Sequence, residues 1–198
     1  MQTPAMYKKQ MNQVADLYNT ERMLQMASEQ FGISYTLLGY NLWIESFLEW
    51  YGYAIPSGTL LTLPGSGRVA YVTRENSARA AAVALASDMC TKEKFEISGS
   101  EALDISHVAD MLSKTLELKR PIRIQVVTAE ELTRFLPTHV PRDRRRIAEF
   151  YAWFMMEFEK NFRDGSLATV HDGYFRLTGN QPDTFASWLR RNKDQYKL

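Results

Sequence analysis

The first forty residues constrain the fold more than any other stretch. Between Met6 and Gln30 there is neither proline nor glycine, and Val14, Leu17, Tyr18, Met23, Leu24 and Ala27 recur at helical spacing. Thr3-Pro4 supplies a start and Gly32 a stop, so the pattern predicts a helix over residues 8–30. Ser34-Tyr-Thr-Leu-Leu38 follows at once; it is short, β-branched and aromatic, and it lies between Gly32 and Gly39, which reads as a buried strand. A helix that returns through a two-residue turn to an apolar strand is the second half of a βαβ unit. No strand signal precedes the helix, so the chain reads as opening inside a structural unit.

The remainder alternates between strand and helix signals. Residues 41–53 carry Leu42, Trp43, Ile44, Phe47, Leu48, Trp50 and Tyr51 and read as a short helix or a structured loop. A turn-rich stretch holds Pro56, Gly58, Pro64, Gly65 and Gly67, with short strands expected over 59–63 and 68–73. Alanine-rich residues 75–87 favour a helix, and 94–98 alternate as a strand. A helix is expected over 105–118 with Asp104 as its N-cap, then a strand over 122–127 and a capping box at Thr128-Ala-Glu-Glu131. Residues 142–162 read as a helix rich in aromatics, 174–177 as a strand, and 183–193 as a closing helix. Such alternation predicts an α/β fold, and the turn-rich region 56–67 is the natural place to divide it, giving units over 1–55 and 56–198.

Charge and composition remove several function classes. With 24 Lys+Arg against 23 Asp+Glu, the net charge is +1, which leaves no electrostatic footprint for nucleic acid or an anionic membrane surface. One cysteine, Cys90, excludes an internal disulfide and a cysteine metal cluster, and His107, His139 and His171 are not in ligand-spaced pairs. No run of about 18 apolar residues exists and the N-terminus lacks a signal-peptide core, so the expectation is a cytoplasmic protein. The run Arg142–Arg146 reads as a solvated helix face, because Asp143 interrupts it and Glu149, Glu157 and Glu159 follow.

Neither a G-x-G-x-x-G turn nor a phosphate loop occurs; Pro64-Gly-Ser-Gly67 comes nearest, but it precedes a strand where a phosphate loop must open a helix. Tyr40, Asn41 and Trp43 lie just beyond the carboxyl end of the 34–38 strand, the edge at which open α/β sheets bind ligands. They offer stacking area and hydrogen bonds to a flat cofactor ring, or they pack as core. Arg74, after the 68–73 strand, suits a phosphate or carboxylate; its plainer reading is a partner for a carboxylate at a helix start. Cys90 has no histidine near it, and Glu130-Glu131 look like helix N-terminal charges.

Several segments in order carry a resemblance. Tyr18-Asn-Thr-Glu21-Arg-Met-Leu24 followed by Gly32-Ile-Ser-Tyr-Thr-Leu-Leu38, then Gly67-Arg-Val-Ala-Tyr-Val-Thr-Arg74 with Ala78–Leu85, then Phe95-Glu-Ile-Ser-Gly99 with Glu101-Ala-Leu103, and finally Leu177-Thr-Gly179 with Pro182 and Thr184-Phe185, together resemble NmrA-like proteins. These are atypical short-chain dehydrogenase/reductase relatives, and the nearest pattern is the NAD(P)H:quinone-oxidoreductase type, matched over its C-terminal two-thirds. The resemblance implies a partial Rossmann-type parallel sheet, with residues 1–55 as the remnant of an NAD(P)-binding domain and 56–198 as a smaller α/β lobe whose chain returns to the sheet. It implies NADP or NAD as cofactor, held weakly or not at all without the glycine-rich loop. Tyr40, Asn41 and Trp43 would then line the nicotinamide side, and Arg74 and Asn76 would face a quinone or carbonyl substrate or the second lobe. The family's usual groups are replaced by Leu17, Gly39 and Asn76, and Tyr7-Lys8-Lys9 lacks the spacing of a Tyr-x-x-x-Lys pair. No catalytic side chain and no metal ligand is therefore assigned. The alternative function is a non-catalytic NAD(P)-linked redox sensor or partner-binding module, with 142–162 as the partner surface.

Overall fold

The computed structural model describes residues 12–87, 93–139, 152 and 163–196. Helix α1 (Asn12–Phe31) stops where the sequence predicts. Gly32 takes the left-handed conformation with φ 69°, and its amide donates to the Ser28 carbonyl at 3.0 Å. Strand β1 (Thr36–Tyr40) follows, two residues later than its apolar signal. Next come α2 (Ile44–Tyr51), α3 (Ala54–Ser57), β2 (Thr59–Thr62), α4 (Arg74–Ala86) and β3 (Glu93–Ile97). Then follow α5 (Ile105–Thr115), β4 (Arg123–Val126) and α6 (Ala129–His139). Beyond residue 162 there is a 3-10 turn at Ser166–Ala168, then α7 (Gly173–Thr178) and α8 (Phe185–Asn192).

The strands form two parallel pairs. β1 lies beside β3, from Thr36 opposite Glu93 to Tyr40 opposite Ile97, and β2 lies beside β4, from Thr59 opposite Arg123 to Thr62 opposite Val126. Parallel neighbours need long crossovers, and the intervening helices supply them. β1 is half-buried rather than buried, with Tyr40 exposed; among the described residues β3 is the one strand beside it. Two apolar clusters grow around the pairs. One gathers Ile44 and Phe47 of α2, Leu60 of β2, Leu112 of α5, Leu132 of α6 and Phe185 of α8. The other is smaller: Val72, Ala80, Phe95, Ile97 and Tyr174, with Leu38 and Leu177 against it. Residues on both sides of position 55 thus share the larger cluster.

Two expected strands differ. Residues 68–73 form no regular strand; Val72 makes a single parallel bridge to Trp43 and Val69 a single antiparallel bridge to Leu103. Residues 69–73 are all buried, so their β-branched and aromatic side chains report burial, not ladder formation. Residues 174–177 are helical, inside α7. In so short an apolar run strand and helix periods cannot be separated, and Tyr174 and Leu177 reach one core cluster at the i, i+3 spacing of a helix. The aromatic segment 142–162 lies outside the described residues except for Ala152, which is fully buried.

Local signals performed as physics requires. Glu131 accepts from the Thr128 amide at 2.8 Å while Thr128 Oγ1 accepts from the Glu131 amide at 3.2 Å, a reciprocal capping box. Asp104 Oδ1 accepts from the amides of Ser106 and His107, each at 3.0 Å. Hydrogen bonds from the Ser106 hydroxyl and then the His107 amide hold the Asp104 carboxyl down at about 2, against an ordinary 3.8. Because the folded value is the lower one, this cap stabilises above the ordinary value and fades as pH falls towards 2. We expect Asp104→Ala to cost about 1 kcal/mol at pH 7 in urea unfolding, and the difference from the parent to shrink steadily below roughly pH 4.

Candidate functional site

The carboxyl ends of β1 and β3 are level, because the Asn41 amide donates to the Ile97 carbonyl at 2.9 Å. There the three residues singled out from sequence come together with the first turn of α4: Asn41 and Trp43 lie just beyond the strand end, whereas Tyr40, expected there too, is the last residue of β1, paired with Ile97. Asn41 turns its side chain into the backbone: Oδ1 accepts from the Leu42 amide at 2.7 Å and Nδ2 donates to the Leu167 carbonyl at 3.0 Å. The Tyr40 hydroxyl donates to the Ser77 carbonyl at 3.3 Å, and the Trp43 indole N–H donates to Ser77 Oγ at 3.1 Å. Ser77 is buried, and its own hydroxyl donates to the Thr73 carbonyl at 3.0 Å. Both rings are therefore pinned at their polar tips while more than a third of each residue stays accessible, 38% for Tyr40 and 37% for Trp43. Partial burial raises the Tyr40 hydroxyl above its ordinary value, so it stays a donor throughout the neutral range.

Arg74 lies over the Trp43 ring, its guanidinium carbon 5.3 Å from the centroid. Its Nη1 pairs with Glu49 at 2.8 Å, and Nη2 donates to Ser46 Oγ at 3.2 Å. The hydrogen bond that Arg74 donates to the Glu49 carboxylate raises the guanidinium further above its already high value. Glu45 occupies the start of the helix: the Arg74 amide donates to its two carboxylate oxygens at 3.0 and 3.1 Å. Thr73 Oγ1 caps the same turn by accepting from the Asn76 amide at 2.9 Å. A carboxylate from α2 thus already sits where the N-terminus of α4 would otherwise attract an anion.

Asn76 faces inward. Its Nδ2 donates to the Tyr174 hydroxyl at 3.1 Å, and its Oδ1 accepts from the Asp183 amide at 2.8 Å. It ties α4 to α7 and to the segment entering α8. Pro64–Gly67 is a plain turn, in which the Ser66 hydroxyl donates to the Leu63 carbonyl at 2.8 Å. Gly39 also has a structural reason: a Cβ there would overlap the Glu96 carboxylate, which reaches Lys94 at 3.1 Å while Lys94 reaches Glu21 at 3.2 Å. Among the described residues no group of three His, Cys, Asp or Glu is placed to hold a metal ion, and no helix is long and apolar enough to cross a membrane.

Sequence reasoning missed Ser77, Glu45 and Glu49. Ser77 had one local signal, a hydroxyl one turn after the Thr73 cap; the two glutamates had none, because they reach Arg74 from 25 to 29 residues away.

Solved structures share this fold. The NADPH-dependent quinone oxidoreductase of Escherichia coli, complexed with NADPH, superposes with a TM-score of 0.74 at 22% identity, over 94% of this chain and 62% of that one. The triphenylmethane reductase of Citrobacter sp. gives 0.71 at 23% identity, over 96% and 61%. A nucleoside-diphosphate-sugar epimerase of Staphylococcus aureus gives 0.71 at 19% identity, over 93% and 62%. The fold is that of NAD(P)-binding reductases. The chain spans about three fifths of the length of these structures. No protein-family model matches it, and no curated protein matches it either.

The network separates residues by cost. Asn76→Ala strands the Tyr174 hydroxyl and the Asp183 amide, and should lower unfolding stability by about 1–3 kcal/mol. Arg74→Ala, which removes a half-exposed ion pair, should change it by about 1 kcal/mol or less. Urea denaturation of the two variants side by side checks the contrast.

Proposed function

We propose that this chain forms the acceptor-side wall of an NAD(P)H-dependent oxidoreductase that reduces a quinone or similar carbonyl compound. The observation that carries the reading is the pair of half-exposed rings, Tyr40 and Trp43, fixed to Ser77 at the carboxyl edge of a parallel strand. It is supported by the likeness to a quinone oxidoreductase complexed with NADPH. Reduced nicotinamide, when bound, supplies a hydride. The residues fit that end of the cofactor: Tyr40 and Trp43 give a flat, water-excluding surface, and Asn41 holds the backbone behind them. Arg74 stands at the rim towards the acceptor, and Asn76 holds the wall against α7. No side chain of this set is assigned a proton-transfer role.

The phosphate end fits less well. The start of α4 is filled by Glu45, and the Pro64–Gly67 turn does not open a helix. Residues 1–198 alone should therefore bind NADPH weakly, with a dissociation constant of roughly 0.1 mM or above, since several charge-assisted bonds are unmade. Titrating NADPH into the purified chain and following nicotinamide fluorescence should show a shallow curve, lost in Trp43→Ala; saturation at low micromolar concentration contradicts this part of the reading.

A non-catalytic NAD(P)-linked sensor or partner module is the second reading, favoured by one feature: the Arg74 guanidinium is already committed to Glu49 and Ser46. Supplying the chain with an upstream dinucleotide-binding unit and assaying NADPH oxidation with several quinones separates the two. Turnover supports the oxidoreductase; cofactor binding without turnover supports the sensor.

A further inference from the structure

The rim around Trp43 carries a charge arrangement that hydride transfer itself does not require. The Arg74 guanidinium lies 5.3 Å from the Trp43 ring centroid, yet both of its amino groups are taken by α2: Nη1 donates to Glu49 at 2.8 Å and Nη2 to Ser46 Oγ at 3.2 Å. Glu45, one turn earlier on α2, holds its carboxylate beside the same residue by accepting from the Arg74 amide. The next charges along α4, Glu75 and Arg79, pair with each other at 3.2 Å and cancel. Two carboxylates against one cation leave this end of the wall net negative. Tyr196, the last described residue, lies in the same field: burial raises its hydroxyl first, and Glu45 and Glu49 raise it further against the opposing pull of Arg74.

A ring stacked on Trp43 stands within one screening length, about 10 Å at 0.1 M salt, of both Arg74 and Glu49. Its substituents therefore feel that charge balance. Arg74 is the group at the rim that suits an anionic substituent, because a guanidinium can meet a carboxylate or sulfonate with paired donors. Glu49 already occupies those donors. The side chains of Arg74 and Glu49 are 45% and 47% exposed, so the pair between them is weak and opens at little cost. An acceptor with an anionic group meets two carboxylates and an engaged arginine, whereas an uncharged one meets the open ring surface.

We propose that Glu49 is a positioning residue that sets the charge specificity of this wall: by holding Arg74 it makes the rim take uncharged quinones and turn away those with an anionic substituent. The inference rests on the acceptor-side reading of Tyr40 and Trp43. The probes are anthraquinone-2-sulfonamide and anthraquinone-2-sulfonate, which share one planar ring system and differ in charge. In the isotope-labelled full chain at low ionic strength, the sulfonamide should shift the Trp43 indole N–H signal saturably, and the sulfonate should bind at least about fivefold more weakly. Glu49→Gln, which keeps the shape and removes the charge, should narrow the ratio of the two dissociation constants to about twofold or less. Adding Arg74→Ala to that variant should restore the gap, because the gain runs through the released guanidinium. Raising salt to about 0.5 M should shrink the gap in the parent chain. Equal binding of the two probes to the parent chain, or a narrowed ratio in Glu49→Gln that survives the loss of Arg74, overturns the assignment of Glu49 and leaves the acceptor-side reading standing. No Trp43 shift with the sulfonamide overturns both.

Discussion

Residues 69–73 run through the interior with their backbone groups divided among separate segments, and the placement of the β1 and β3 strand ends depends on that division. The Val72 amide donates to Leu42 at 3.0 Å and its carbonyl accepts from Ile44 at 2.9 Å. Val69 exchanges bonds with Leu103 at 2.8 and 2.9 Å, and Ala70 accepts from Gly99 and donates to Leu167. The exits of β1 and β3 and the turn before α7 thus converge on one buried strut. Leaving any of these groups unpaired in a dry interior costs about 1–3 kcal/mol, so the strut fixes where the two strand ends stand. Its last residue, Thr73, then caps α4, and α4 carries Ser77, the anchor of Tyr40 and Trp43. The candidate site inherits its geometry from a segment that belongs to no sheet.

The same helix start decides which part of a ligand the rim can take. A helix N-terminus with free amides favours phosphate. Here Glu45 accepts the first amide with both oxygens, and Glu49 holds the guanidinium of the same residue. Two carboxylates from α2 set against one arginine leave the rim without the positive excess that a pyrophosphate needs. Flat neutral groups meet no such penalty. Under the oxidoreductase proposal the rim takes the ring end of the nicotinamide cofactor or an aromatic acceptor, and the phosphates lie elsewhere.

How much was legible follows from the range of each interaction. Caps and helix ends act within a few residues, so Gly32, Asp104 and the Thr128–Glu131 box were readable as they stand. The position of Asn41 and Trp43 beyond a strand end was readable too, because it needs only the strand's direction; Tyr40 falls inside the strand because β1 runs two residues further than its apolar signal. What they do there was not: Ser77 meets Tyr40 from 37 residues away and Leu167 meets Asn41 from 126. Asn76 was expected to face a substrate or the second lobe, and its amide is joined to Tyr174 and Asp183. The strut was misread as a strand for a related reason: its composition reports burial, and composition cannot say whether a buried backbone finds one partner strand or several scattered ones.

Gly39 leaves room for a charge network: the Glu96 carboxylate occupies the space above the glycine. Glu96 lies there because Lys94 bridges it to Glu21 on α1, and the three charges are each only about a third exposed. Partly buried charges of this kind are costly unless every member keeps its partner. A side chain at position 39 would require the tip of Glu96, whose Oε1 pairs with Lys94, to shift.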